Sequence, residues 1–296
     1  MVRPAAVRVH QSARRQGRVL PGPARQPRSV GLARRRAGRR RLRLSAAAGG
    51  PTLSADAVFT LRDVTKQYSA GGTSFVLSIP RLDVGRGTRL ALIGESGSGK
   101  STLLELLAMI LRPSSSETFR FNPLAGAESF DVAAGWRGNE ADALGRLRSR
   151  YIGYVLQYGG LLPYLTVRRN IELPRRLLDL PLGTAAEGLA RKLGIAQQLD
   201  KLPAELSVGQ RQRAAIARAL AHEPPIVIAD EPTAAIDPLN AESIIRLLVQ
   251  MTEELGVTLI LATHAQELVR RAGFTVVAHE IDAADENAMT VSVYHV

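Results

Sequence analysis

The chain contains, at residues 94–101, the stretch Gly94-Glu95-Ser96-Gly97-Ser98-Gly99-Lys100-Ser101, which fits the pattern G-x-x-x-x-G-K-[ST]. The apolar run Arg89–Ile93 precedes it and the helical run Ser101–Leu111 follows it. Glycines allow the backbone to curl until successive N–H groups face a phosphate, and the helix adds its positive N-terminal end. We therefore expect ATP to be bound by Gly94, Glu95, Ser96, Gly97, Ser98, Gly99, Lys100, Ser101 and Thr102.

The lysine of this loop is informative because the chain holds only four lysines against 35 arginines. A glycine-rich turn that matches by chance is therefore a poor alternative, and a lysine here indicates that a compact ammonium is needed. We expect Lys100 to reach the β- and γ-phosphates and the Ser101 hydroxyl to bind Mg²⁺.

A second candidate site follows the apolar run Ile226–Ala229, which ends in the adjacent carboxylates Asp230 and Glu231. Ligands of open α/β sheets bind at the carboxyl ends of strands, whereas most Asp-Glu pairs are solvated loop charges. The fully apolar strand before this pair favours a role in the site. We expect Asp230 to hold Mg²⁺ and Glu231 to polarise the attacking water.

Many nucleotide-hydrolysing families share a phosphate loop and an acidic strand. A third stretch of this chain distinguishes among these families. Residues 206–210 read Leu-Ser-Val-Gly-Gln, and Arg-Gln-Arg-Ala-Ala-Ile-Ala-Arg-Ala-Leu follows, shortly before the acidic strand. This stretch resembles the signature LSGGQ of the ATP-binding cassette (ABC) family and its helix. Residues 230–237, Asp-Glu-Pro-Thr-Ala-Ala-Ile-Asp, are similar to the acidic strand and D-loop of that family. The resemblance covers roughly residues 57–270.

The resemblance implies roles for three further residues. Gln157 matches the Q-loop glutamine, which senses Mg²⁺ and water, and His264 matches the switch histidine, which stabilises the γ-phosphate. Tyr68 lies 26 residues before Gly94, where the family has an aromatic residue that stacks on adenine. Taken singly, these would be a surface glutamine, a capping or core histidine and a packing tyrosine; their shared order along the chain favours the functional interpretation.

The resemblance also implies a dimer. In this family the signature turn contacts the γ-phosphate held by the opposite subunit, so that two copies sandwich two ATP molecules. Ser207, Gly209 and Gln210 would then bind ATP in trans. Two departures stand out: Val208 replaces a glycine and stiffens the signature loop, and Ala265 replaces the acidic residue that commonly follows the switch histidine. We expect activity to survive both, at a rate that could be low.

The order of apolar and helical runs predicts an α/β fold. The expected architecture is a P-loop NTPase ABC cassette with a mostly parallel core sheet, an antiparallel β subdomain and an inserted helical subdomain. Val58–Leu61 and Phe75–Ile79 are predicted to be antiparallel strands near an edge, and residues 112–145 to be irregular. Helical patterning dominates from 164 to 221, and the absence of an internal repeat indicates one cassette.

The positive charge of the chain is concentrated at its N-terminus. The net charge is +12, but residues 1–55 carry 14 arginines and no lysine or acidic residue, so residues 56–296 carry −2. We expect residues 1–56 to be a disordered Arg-rich tail and 57–296 to be the ATP-binding domain. The tail is open to three interpretations: a solvated tail, an anchor to an anionic surface, or, as we favour, residues upstream of a wrongly assigned start codon.

The chain lacks cysteine, which excludes disulfides and thiolate metal sites, and it lacks an apolar run of about 18 residues. Residues 146–153 and 157–167 resemble the branch of lipoprotein-releasing, macrolide-exporting and cell-division ATPases. That resemblance implies a peripheral protein on the cytoplasmic face of the inner membrane, driving a separate integral membrane permease. The permease would dock beside the Q-loop.

Two other classes of function stay open. The first is an ABC ATPase that acts on DNA or ribosomes, which the single cassette and the nearly neutral domain disfavour, so that no nucleic acid is expected as a partner. The second is a nucleotide-binding scaffold that signals to a membrane or soluble partner with little turnover. Glu231 and His264 argue against it, while Val208 leaves room for it. A nucleotide kinase would share only the phosphate loop.

Overall fold

The computed structural model describes residues 56–70, 73–234, 236, 238–277, 279–285 and 288–293. The predicted Arg-rich tail lies outside these residues, apart from Asp56. The described residues form the strands β1 (Ala57–Ala70), β2 (Thr73–Gly85), β3 (Arg89–Ile93), β4 (Thr118–Phe121), β5 (Phe130–Asp131), β6 (Ile152–Val155), β7 (Ile226–Asp230), β8 (Thr258–Thr263), β9 (Thr275–Val277), β10 (His279–Asp285) and β11 (Ala288–Val293). The helices are α1 (Lys100–Leu107), α2 (Val132–Arg137), α3 (Ala141–Tyr151), α4 (Val167–Leu177), α5 (Ala185–Lys192), α6 (Val208–Leu220), α7 (Pro238–Leu255) and α8 (Gln266–Arg271).

A five-stranded parallel sheet forms the centre of the fold, in the order β6-β7-β8-β3-β9. Every residue of β8 is buried, and so are the first four residues of β7, because the sheet is covered on both faces. The predicted parallel core sheet is confirmed. All its strands end at the same edge, so the loop after β3 and the acidic pair at the end of β7 meet there.

The second sheet is mostly antiparallel, in the order β10-β11-β2-β1-β4-β5, with one parallel pair between β11 and β2. The prediction that its first two strands lie near an edge is wrong. β1 pairs with β2 on one side and β4 on the other, and β2 also pairs with β11. These later strands extend the sheet on both sides, and Phe59 and Leu61 of β1 are fully buried.

The prediction that residues 112–145 are irregular is also wrong. This segment contains β4, β5, α2 and the start of α3. Phe119 and Phe121 alternate into the core with no exposed surface, and β4 pairs with β1. Asp131 caps the N-terminus of α2: its carboxylate accepts a hydrogen bond from the N–H of Ala134 at 2.8 Å. Helix α1 ends at Leu107 and not at Leu111, because Met109 has a φ of +55°.

Helices α4, α5 and α6 form the inserted helical block that the sequence predicts. The buried Asn170 of α4 fixes the segment that leads into this block: its amide donates to the carbonyls of Leu162, Leu165 and Thr166 at 3.0–3.1 Å. Among the described residues we find no helix with the length and apolar character that a membrane span requires.

A buried histidine after α6 makes stability depend on pH. His222 is 8% exposed, and within the described residues neither of its ring nitrogens has a well-formed hydrogen bond. The pKa of His222 is lowered to about 4, mainly by burial and in smaller part by the positive charges of Arg150 and Arg175, against a backbone contact with Ile152 that raises it. The folded state therefore excludes a proton that the unfolded chain binds below its ordinary pKa of 6.5.

We expect this histidine to cost the fold about 3 kcal/mol as the pH falls from 6.5 to 4. The sign follows from the lowered pKa: the stability is fully present above pH 6.5 and is lost as the pH falls toward the folded-state pKa. Urea unfolding of the wild type and of His222→Leu at several pH values measures the effect, since the other groups titrate in both proteins. Parallel pH profiles for the two proteins would contradict it.

Candidate nucleotide-binding site

The loop between β3 and α1 has the backbone conformation that an anion site needs. Gly97 and Gly99 have φ values of +81° and +88°, which L residues with a side chain rarely adopt. A Cβ at Gly99 would also lie 3.1 Å from Cζ of Phe75 and 3.2 Å from Cδ1 of Leu77. Helix α1 begins at the next residue, Lys100, so its free N–H groups point into the loop.

Lys100 lies inside this loop, with 8% of its surface exposed. Its ammonium donates to the carbonyls of Gly94 at 2.8 Å and Glu95 at 2.7 Å, and its Nζ lies 3.6 Å from Oε1 of Glu231. Burial lowers the pKa of Lys100, and the nearby Glu231 opposes that shift. The loop therefore holds a partly desolvated cation at the mouth of the site, where a phosphate would compete for it.

Ser101, in the first turn of α1, faces Asp230 at the end of β7. The Ser101 hydroxyl donates to Oδ1 of Asp230 at 3.0 Å. Burial raises the pKa of Asp230, and the hydrogen bond from Ser101 lowers it in part. Neighbouring ligands of an octahedral Mg²⁺ ion lie about 3 Å apart, given metal–oxygen distances of about 2.1 Å. The spacing and the hard oxygen donors of this pair therefore fit Mg²⁺.

Glu231 lies at the centre of the site, where its carboxylate contacts several of the other candidate residues. Its carboxylate lies 2.7 Å from Nε2 of His264, and it accepts a hydrogen bond from Nε2 of Gln157 at 3.5 Å. The side chain is 14% exposed, and the backbone has a φ of +41°, which is unusual for a residue with a side chain. The N–H of Glu231 donates to the carbonyl of Ala262 at 3.0 Å, which ties this turn to β8.

The parallel sheet explains why these side chains meet. Gln157 follows β6, Glu231 follows β7 and His264 follows β8, and these three strands are neighbours in the sheet. Between the loop and this edge lies a cavity of about 210 Å³, which is lined by Phe75, Ser96, Gly97, Gly99, Lys100, Ser101, Thr102, Gln157 and Glu231.

The aromatic side of the cavity differs from the sequence-based expectation. Tyr68 is 40% exposed and lies beside Phe75, with ring centroids 6.3 Å apart. Phe75 lines the cavity, whereas Tyr68 is not among the lining residues. Sequence reasoning missed Phe75. The signal that could have found it is the pairing of β1 with β2, which places Phe75 directly opposite Tyr68.

The signature turn, Ser207–Gln210, lies at the N-terminus of α6 and not at the phosphate loop. Ser207 is the N-cap of α6: its hydroxyl accepts from the N–H of Gln210 at 3.2 Å, and its own N–H donates to the Gln210 side chain at 2.9 Å. Val208 is the first helical residue, with 42% of its surface exposed, so its branched side chain stiffens the helix start and not a loop. Within the described residues, no hydrogen bond or ion pair joins Ser207–Gln210 to residues 94–102.

A phosphate loop and an acidic strand at one edge of a parallel sheet, with a capped helix on an inserted block, define a P-loop nucleotide triphosphatase of the cassette type. The family model described as "ABC transporter" matches residues 77–234. The chain therefore belongs to the ABC transporter family.

Relatives and solved structures agree with this membership. The chain is 38% identical over 223 residues to the lipoprotein-releasing system ATP-binding protein LolD of Pseudomonas fluorescens, covering 74% of this chain and 93% of that protein. It is 40% identical over 211 residues to the methionine import ATP-binding protein MetN of Xanthomonas oryzae, covering 70% and 59%. The solved dimer of the ATP-binding cassette MJ0796, in a post-hydrolysis state with ADP and Pi, is 30% identical with a TM-score of 0.58, covering 72% and 90%. The chain is thus an ATP-binding, ATP-hydrolysing subunit of the ABC transporter type.

Proposed function

We propose that two copies of this ATPase close around two ATP molecules, each lending Ser207, Gly209 and Gln210 to the triphosphate held by its partner. The observation that carries this proposal is Gly209. A Cβ at this helical residue would meet nothing within 4 Å, so its own subunit does not require a glycine there. Glycine in a helix costs about 1 kcal/mol relative to alanine. Close approach of a group outside the subunit accounts for it, and the solved MJ0796 relative is a dimer.

Within one site, the residues have distinct roles. Lys100 and the N-terminus of α1 hold the β- and γ-phosphates, and Tyr68 with Phe75 forms an aromatic surface against the adenine. Glu231 polarises the attacking water, held by Gln157, and His264 stabilises the charge that develops on the γ-phosphate. Ser101 and Asp230 would hold Mg²⁺, with Gln157 beside them, and the ion would neutralise phosphate charge when bound.

The proposed partner is an integral membrane permease, with this chain bound peripherally at the cytoplasmic face of the inner membrane. Tyr158 and Tyr164, which flank the turn after Gln157, are 75% and 73% exposed. Large exposed apolar side chains beside a catalytic turn are typical of a docking surface. Copurification of this chain with integral membrane proteins of its own cell tests this assignment. Loss of binding in Tyr158→Ser and Tyr164→Ser, with ATP binding kept, is the expected result.

Complementation between two defective copies tests the dimer. Ser207→Arg blocks the signature turn, and Lys100→Ala disables the phosphate loop. If the turn acts in trans, a mixed dimer contains one site with neither defect, and mixing should raise ATP hydrolysis well above that of either protein alone. If the turn acted in cis, every site of the mixture would carry a defect. No gain on mixing would therefore overturn the proposal.

A single substitution gives a quantitative prediction. We expect Ser207→Ala to weaken ATP-dependent dimerisation about 10-fold or more, because it removes the hydroxyl offered to the phosphate. It also removes a helix cap, at a cost of about 1 kcal/mol. Asp131→Ala is the matched control, since it removes the cap of α2, outside the site. Light scattering with and without ATP measures the dimer, and equal dimerisation of the two variants would argue against a phosphate contact.

A further inference from the structure

Arg218 of α6 holds the turn after Gln157. Gly159 and Gly160 have φ values of +75° and +57°, and this conformation directs both of their carbonyls at Arg218 of α6. The guanidinium donates to the Gly160 carbonyl at 2.7 Å and to the Gly159 carbonyl at 2.9 Å. A planar fork of donors suits such a pair of carbonyls, and an ammonium could not span both with the same geometry.

Desolvation of its guanidinium makes Arg218 energetically unfavourable for a contact that only stabilises the fold. Burial lowers the pKa of Arg218, and no described residue forms an ion pair with it. A partly buried charge without a carboxylate is destabilising unless its hydrogen bonds compensate, and the bonds found here are to the carbonyls of one turn. The two hydrogen bonds of Arg218 therefore offset its desolvation, and they fix the position of Gly159–Gly160.

Helix α6 links this contact to the signature turn. Ser207 caps the N-terminus of α6, and Arg218 lies in its last turn, about 16 Å further along the axis. Gly159 also packs on α6: a Cβ there would lie 3.5 Å from Cβ of Ala215 and 3.7 Å from Oε1 of Gln212. A rigid helix thus carries the proposed γ-phosphate contact at one end and holds the Gln157 turn at the other.

We propose that Arg218 is a positioning residue for ATP hydrolysis: it fixes the Gln157 turn to α6, so that the place of Gln157 beside Glu231 follows the signature helix. Few contacts separate Arg218 from Glu231. Gln157 is two residues before Gly159, and its Nε2 lies 3.5 Å from Oε2 of Glu231. The inference rests on the proposed function, in which Gln157 holds the attacking water. A residue that only stabilised the fold would act on hydrolysis independently of Gln157.

A double-mutant cycle separates these two roles. We expect Arg218→Lys to lower kcat by about 10- to 100-fold, because a displacement of about 1 Å at a catalytic group has effects of this size, while KM for ATP changes less than about 2-fold. In the Gln157→Ala background, the same substitution should have no further effect on kcat. Arg213→Lys is the matched control. Arg213 lies on the same helix and donates two guanidinium bonds at 3.1 Å, but to Leu193 and Ser243.

The rates are referred to folded protein, counted by thermal unfolding and by nucleotide binding, and Arg218→Gln replaces Arg218→Lys if the latter does not fold. An unchanged kcat in Arg218→Lys, or a full additional loss in the Gln157→Ala background, would overturn the positioning role. A loss in Arg213→Lys equal to that in Arg218→Lys, and equally dependent on Gln157, would do the same. If Gln157→Ala alone leaves kcat unchanged, the role of Gln157 in the proposed function fails instead.

Discussion

ATP hydrolysis should fall by about 10²- to 10⁴-fold in Glu231→Gln, while ATP-dependent dimers still form. The amide has nearly the shape of the carboxylate, so the packing of the site is kept, but the amide is not a base and cannot accept the proton of the attacking water. Lys100, Gln157 and His264 each direct a nitrogen at this carboxylate, so none of these three contacts is placed to take the proton of the same water. The dimers should accumulate, because the step that would release them is blocked.

Phosphate release and light scattering measure the two effects on the same sample. Glu254→Gln is the control, because Glu254 pairs with Lys192 on the surface and not with the site. Hydrolysis at the wild-type rate in Glu231→Gln would refute the role of Glu231.

Tight ATP binding should be lost in Lys100→Ala, with a dissociation constant raised about 100-fold or more. Two charge-assisted hydrogen bonds to phosphate oxygens disappear, each contributing about 1.5–3 kcal/mol. The thermal stability should stay close to that of the wild type. Burial lowers the pKa of Lys100, which means that the charged form already destabilises the fold in part, and its removal offsets the loss of the bonds to Gly94 and Glu95.

Titration with a fluorescent ATP analogue measures the affinity. Lys100→Arg should bind almost as poorly, since a planar guanidinium does not reproduce the compact ammonium that donates to the Gly94 and Glu95 carbonyls inside the loop. Lys192→Ala, whose side chain is 53% exposed, should bind normally. Retained affinity in Lys100→Ala would contradict the assignment of the phosphate loop.

Much of the site could be predicted from the sequence because its parts are local. A strand, a glycine loop and a helix follow one another within residues 89–107, and the acidic pair ends an apolar strand. Parallel strands then bring these ends to one edge, which needs no knowledge of distant contacts. The helical block was predictable for the same reason, since α4, α5 and α6 each carry their own periodicity.

The features that could not be predicted from the sequence depend on pairing between residues that are distant along the chain. β4 is four residues long and is stable because β1, nearly 60 residues earlier, covers Phe119 and Phe121. The inner position of β2 depends likewise on β11, more than 200 residues later in the chain. Within the site, the left-handed backbone of Glu231 and the grip of Arg218 on Gly159–Gly160 are tertiary features that no short pattern carries.

The hydrogen bonds of Ser207 explain why a hydroxyl, and not just any capping group, starts α6. Its oxygen accepts from the N–H of Gln210, so a lone pair is directed into the helix while the proton remains available to donate outward. Aspartate would cap the same helix well but would offer only negative charge to a phosphate. In the proposed dimer, the amino acid at this position would therefore serve two purposes, as an acceptor for the helix and as a proton donor for the nucleotide.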